Sequence, residues 1–129
     1  MSDDVNFYIM KFEPEVQKRL MEIRFTALDI FQDVGEKLYH GAPSFTLDGN
    51  TIMDYAAYKK HISIILAYWW KTDWEERSRE IMDFLKTNYP QYGYTQYTIQ
   101  FPHKDDFPYE LIKIICNLLW QDRFQEALQ

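Results

Sequence analysis

The run SFTLDGNTIMDYAAY, residues 44–58, constrains this chain more than any other stretch. Asp48-Gly49 stands between two segments rich in β-branched and aromatic residues. Asp and Gly both accept the positive φ that a tight hairpin turn requires. Ser44 to Leu47 and Thr51 to Tyr58 therefore read as paired antiparallel strands. Lys59-Lys60 marks a second turn, and HISIILAY, starting at His61, reads as a third strand. A meander of this kind has to bury one face, so the rest of the chain must cover it.

The cover is helical. In EPEVQKRLMEIRFTALDIFQDVG, Val16, Leu20, Ile23, Ala27, Ile30 and Val34 recur at spacings of three and four, the stripe of an amphipathic helix. Pro14 suits its first position, and Gly35 is expected to stop it. Lys18, Arg19, Glu22 and Asp29 are expected on the solvated side. KTDWEERSREIMDFLKTNYPQYG reads as a second helix, capped by Thr72 or Asp73, with Glu75 and Glu76 in its first turn and Pro90 and Gly93 beyond its end. TQYTIQF reads as a fourth strand. KDDFPYELIKIICNLLWQDRFQEALQ reads as a third helix, with Asp106 as cap and Pro108 near its first position. Its core face comprises Leu111, Ile114, Ile115, Leu118 and Leu119, and Ile112, Cys116 and Trp120 widen the apolar arc.

The order is α-β-β-β-α-β-α. It predicts an α+β fold in which a mostly antiparallel sheet of four or five strands is flanked by three helices. A chain of 129 residues suits one domain, spanning 1–129, and 47% hydrophobic and 18% aromatic residues suffice for its core.

Composition excludes several functions. The net charge is −6 and no long Lys/Arg cluster occurs, which argues against a nucleic-acid partner. The longest apolar runs are too short for a membrane span, and MSDDVNFYIM does not read as a signal peptide. Cys116 is the single cysteine, so no internal disulfide forms, and a cytoplasmic location is expected. Its apolar helical setting reads as a small buried hydrophobe rather than a catalytic thiol. Four scattered glycines cannot build a phosphate loop, and no zinc motif is present.

Three features carry chemistry. Lys59 and His61 stand two apart, so an extended backbone points them to one face, where an ammonium beside an imidazole can hold an anion; the alternative is a polar strand edge. His40 sits in YHGAP, where Gly41 and Pro43 bend the backbone; it either lines a pocket or bonds a nearby carbonyl. Carboxylates gather at Asp73, Glu75 and Glu76, and again at Asp105, Asp106 and Glu110. Hard cations bind such oxygens, although helix capping explains the same pattern. Tyr39, His40, Tyr58, Lys59 and His61 form the candidate pocket. No catalytic motif is recognised.

FEPEVQKRLMEIR, YHGAPSFTLDGNTIMDYAAYKKHISI and YTIQFPHKDDFPYELIKII resemble, in that order, three blocks of the YdhG-like domain family. The matching positions are Pro14 and Glu15; Gly41, Pro43 and Phe45; Ala57, Tyr58, Lys59 and His61; Ile99, Phe101 and Pro102; and Pro108, Leu111 and Ile112. The resemblance implies a small α+β domain in a family whose members mostly have no assigned activity. One bacterial branch is described as a frataxin-like iron chaperone, so the resemblance suggests iron as cargo; Asp105, Asp106 and Glu110 are the acidic-surface candidates. The chain departs from the family pattern at Thr95, Gln96 and Tyr97, where many relatives carry a Ser-Lys-Gly run, and at His40, where many carry an aromatic.

The first functional expectation is thus a non-enzymatic binding or chaperone-like module. A second is an interaction domain that dimerises through Ile112, Cys116, Leu119, Trp120 and Phe124 of the last helix. A third is an enzyme using His40 or His61 as a base.

Overall fold

The computed structural model describes residues 1–66 and 74–128, with side chains as far as Gln121. Among the described residues the elements run α1 (Asp3–Met10), α2 (Pro14–Ile30), β1 (Gly35–Tyr39), β2 (Ala42–Leu47), β3 (Asn50–Ala57), β4 (His61–Ile65), α3 (Trp74–Asn88), β5 (Gly93–Tyr94), β6 (Thr98–Pro102) and α4 (Tyr109–Leu128). The strands form one antiparallel sheet in the order β1-β2-β3-β4-β6-β5. This is the expected α+β architecture, with six strands and four helices rather than four or five strands and three helices.

The Asp48-Gly49 hairpin forms as expected, with φ of 51° and 83° at its two turn residues. A second turn of the same kind joins β1 to β2, where His40 and Gly41 have φ of 51° and 80°. Both positive angles fit the mirror-image turn that matches strand twist. The Gly-x-Pro corner is therefore a hairpin. Tyr39 pairs with Ala42 across it.

The first expected helix ends early. Its last turn closes with Phe31 N–H on the Ala27 carbonyl at 2.7 Å, and Phe31 is already extended. The Phe31 ring turns into the core against Phe45 at 5.8 Å and Trp120 at 5.6 Å. Asp33 supplies the left-handed residue, at φ 60°. Gly35 does not stop the helix; it opens β1.

The chain also begins with a helix that the hydrophobic pattern understates. Ser2 caps α1 by accepting the Val5 N–H at 3.3 Å, and Asp3 and Asp4 occupy the positive end of the dipole. Val5, Tyr8 and Ile9 are buried. The Tyr8 hydroxyl accepts the Ala57 N–H at 3.0 Å, which fixes α1 to the end of β3.

Phe45, Met53, Tyr55, Ile62, Ile64, Ile99 and Phe101 form the core face of the sheet. Residues two apart along a strand share a face. Ser44, Asp54, Ala56, Ser63 and Gln100 therefore lie on the opposite one, as their pairings show.

In α4, Ile112, Cys116 and Leu119 are buried within the chain, and half-buried Trp120 packs on Phe31. The helix α2 lies alongside α4. Ile112, Cys116 and Leu119, three of the residues expected at a homodimer contact, are thus core residues of the chain itself. Phe124 lies outside the described side chains. Burial pushes the Cys116 thiol up to about 12, so it is an inert core residue.

The start of α4 also differs from expectation. The Pro108 carbonyl accepts the Ile112 N–H at 3.2 Å, which puts the cap position at Pro108 instead of Asp106. Thr72 and Asp73 lie outside the described residues. Among the described residues no helix is long and apolar enough to cross a membrane.

Candidate functional site

Two grooves meet at one end of the sheet. The α1–α2 corner, the β3–β4 turn and the loop that follows β6 build them, and residues of β4, β5 and β6 complete the second. The corner is held by Gln17, whose side-chain amide donates to the Phe12 carbonyl at 2.6 Å. The loop is held by Arg19, whose guanidinium donates to the carbonyls of His103 at 3.2 Å and Asp105 at 3.0 Å. Its guanidinium carbon also lies 5.6 Å from the centre of the Phe107 ring. Arg19 was expected in solvent. It is buried, because its fork finds fixed carbonyl acceptors across the helix–loop junction.

The first groove has a volume of about 520 Å³ and is lined by Lys11, Phe12, Glu13, Glu15, Val16, Arg19, Ala57, Tyr58, Lys59 and His103. Its charge is mixed. The second, of about 630 Å³, is lined by Lys59, Lys60, His61, Gly93, Gln100, Pro102, His103 and Lys104. Among the described residues, three lysines and two histidines border it, and no carboxylate does. In a chain of net charge −6 this is a local reversal of sign. Both volumes fall within the range of about 300–1,000 Å³ typical of small-molecule sites.

Lys59 and His103 belong to both grooves and form the ridge between them. His103 Nε2 lies 2.7 Å from the Tyr58 carbonyl, and the His103 N–H donates to the Lys60 carbonyl at 2.9 Å. A carbonyl only accepts, so Nε2 carries the proton. Nδ1 is buried and has no hydrogen-bond partner among the described residues.

The candidate residues divide. Tyr58, Lys59 and His61 come together here: Tyr58 borders the first groove, His61 the second and Lys59 both. The Tyr58 and His61 rings lie 5.1 Å apart. Tyr39 and His40 line neither groove; they sit on the neighbouring β1–β2 turn, exposed, with ring centres 4.1 Å apart. The backbone of His40 is explained by its turn. Lys60, His103, Lys104 and Gln100 are additional lining residues. The pairing of His61 with Pro102 brings His103 and Lys104 beside the Lys59–Lys60 turn, and only FPHK, directly after the fourth strand, hinted at this in the sequence.

Asp105, Asp106 and Glu110 are exposed, and Glu110 pairs with Lys113 at 3.6 Å. Asp105 contributes its backbone carbonyl to Arg19. Among the described residues, no three His, Cys, Asp or Glu side chains are grouped so as to hold a metal ion.

No family model matches the sequence, and no curated protein matches it. Among solved structures it is similar to YdhG of Bacillus subtilis, a protein from the DUF1801 family. The TM-score is 0.75 at 16% identity, over 98% of this chain and 93% of that one. At this identity the likeness speaks for the fold, and it extends over the whole order of elements read from the sequence. The chain has the fold of a YdhG-like domain.

Proposed function

We propose that this chain is a binding domain that receives a phosphate-type oxyanion, carried on a small molecule, in the second groove. The observation that carries this reading is the lining: among the described residues, Lys59, Lys60, Lys104, His61 and His103 border the groove and no carboxylate does. Lysines act as compact point charges that suit a tetrahedral oxyanion approached from several sides. Among the described residues the lining contains no arginine, the residue that favours bidentate binding of a planar carboxylate. The Gln100 side chain offers an amide donor, and Gly93 on the paired strand leaves room for that side chain, whose Oε1 would lie 3.0 Å from a Cβ there.

The geometry favours this over the other readings. Iron rests on the family resemblance, without a grouped set of ligands among the described residues. For an enzyme, the base needs a lone pair open to a substrate. Of the two histidines expected as that base, His40 sits exposed on a turn outside both grooves, and His61 borders the second groove among three lysines.

Thermal shift tests the proposal. Pyrophosphate and inorganic phosphate raise the melting temperature, because a ligand of the native state stabilises it. The shift shrinks with added salt and is lost in Lys59→Ala with Lys104→Ala. No shift at concentrations up to about 10 mM, well above the dissociation constant of a working site, overturns it. Ferrous iron, run alongside under anaerobic conditions, leaves the melting temperature unchanged.

A further inference from the structure

Building on that reading, we infer that His103 is a positioning residue: it fixes the Tyr58–Lys60 turn so that Lys59 and Lys60 are presented to the anion. The turn closes on itself through the Tyr58 N–H and the His61 carbonyl, at 2.8 Å. Its other two fastenings come from one residue. The His103 ring donates to the Tyr58 carbonyl at 2.7 Å, before Lys59, and the His103 N–H donates to the Lys60 carbonyl at 2.9 Å, after it.

His103 is itself anchored. Its carbonyl accepts from the Arg19 guanidinium, which also holds the Asp105 carbonyl. A continuous chain of hydrogen bonds therefore runs from α2 through the loop after β6 to the lysine-bearing turn. The ring has no atom to offer a ligand: Nε2 is committed to the turn and Nδ1 is out of solvent. His103 thus acts through Lys59 and Lys60. Lysine side chains lose much rotamer freedom when they clamp a ligand. A turn held from both sides removes the further cost of ordering the backbone beneath them.

The test uses the full chain and the variants His103→Ala and His103→Gln. The glutamine amide can donate to the Tyr58 carbonyl in place of Nε2. Two measurements are made: amide hydrogen exchange at Lys59, Lys60 and His61 without ligand, and pyrophosphate affinity by calorimetry. His103→Ala speeds exchange at the three amides and weakens affinity roughly five- to tenfold, the scale of one hydrogen bond. His103→Gln restores both. In a Lys59→Ala, Lys60→Ala background, His103→Ala produces no further loss of affinity.

Wild-type protein that binds pyrophosphate while His103→Ala binds equally well overturns the positioning role alone. So does a loss that remains undiminished in the Lys59→Ala, Lys60→Ala background. Wild-type protein that fails to bind pyrophosphate overturns the anion reading, and this role falls with it. Should His103→Ala fail to fold, His103→Gln carries the test: native exchange and affinity support the role, and tenfold weaker binding in a folded variant contradicts it.

Discussion

Arg24 meets Glu36 in the interior, with Nε 2.7 Å from one carboxylate oxygen and Nη2 3.0 Å from the other. The side chains are 0% and 5% exposed, so this is a buried ion pair and not a surface one. Two further guanidinium donors go to the Asn6 side-chain oxygen and the Ser2 carbonyl, and the Ser2 N–H donates to Glu36. The network ties α1, α2 and β1 together. Removing one partner strands the other charge away from water. Arg24→Met should therefore cost about 3–5 kcal/mol, measured by urea unfolding. Adding Glu36→Leu should recover most of the loss.

Acid titration should expose the same pair. Burial pushes the Glu36 carboxyl up, but hydrogen bonds from Arg24 and the Ser2 N–H, with the Arg24 charge, outweigh it and hold it below its ordinary 4.5. A lowered folded value means the stabilisation is present above pH 4.5 and lost as pH falls through the folded value. The wild type should lose stability over that window, and Glu36→Gln should show a flatter pH profile there.

Asp54 carries the opposite sign. Burial raises its carboxyl above the ordinary 3.8, while the Ser44 hydroxyl and the nearby charges of His40 and Lys37 pull it partly back. One carboxylate oxygen is buried without a partner. The ionised form therefore costs stability above the folded value, and the cost fades as pH falls toward 3.8. Asp54→Asn should raise the melting temperature near pH 7, with the gain shrinking on acidification.

The two hairpin turns make a paired prediction. Gly49 sits at φ 83°, a conformation hostile to a β-branched residue, so Gly49→Val should destabilise by about 1 kcal/mol or more. His40 fills the first position of the equivalent turn at φ 51°, where asparagine is a preferred residue. His40→Asn should change unfolding free energy by less than about 0.5 kcal/mol in the destabilising direction. A large loss would give His40 a role beyond its turn.

What was legible in the sequence was whatever depends on short range. The Asp48-Gly49 hairpin, the α2 stripe from Val16 to Ala27, and the order of elements all follow from local pattern. The strand β1 escaped because four of its five residues are exposed and it lies at the sheet edge, so it lacks the alternation that marks a half-buried strand. The strand β5 is two residues long. Arg19 and Arg24 were illegible for another reason. A charge on a helix reads as solvated, and their partners across the fold lie 12 to 86 residues away. The candidate site was half legible for the same reason. Lys59 and His61 are neighbours in sequence, whereas His103 and Lys104 reach them only through the β4–β6 pairing.

The most direct test of the anion site is a titration of amide and side-chain chemical shifts with pyrophosphate in low salt. The account predicts saturable shifts centred on Lys59, Lys60, His61, Gln100 and Lys104, with Tyr39 and His40 unmoved and the response abolished in Lys59→Ala with Lys104→Ala. Saturable shifts elsewhere, or no shifts around the second groove at saturating pyrophosphate, would contradict it.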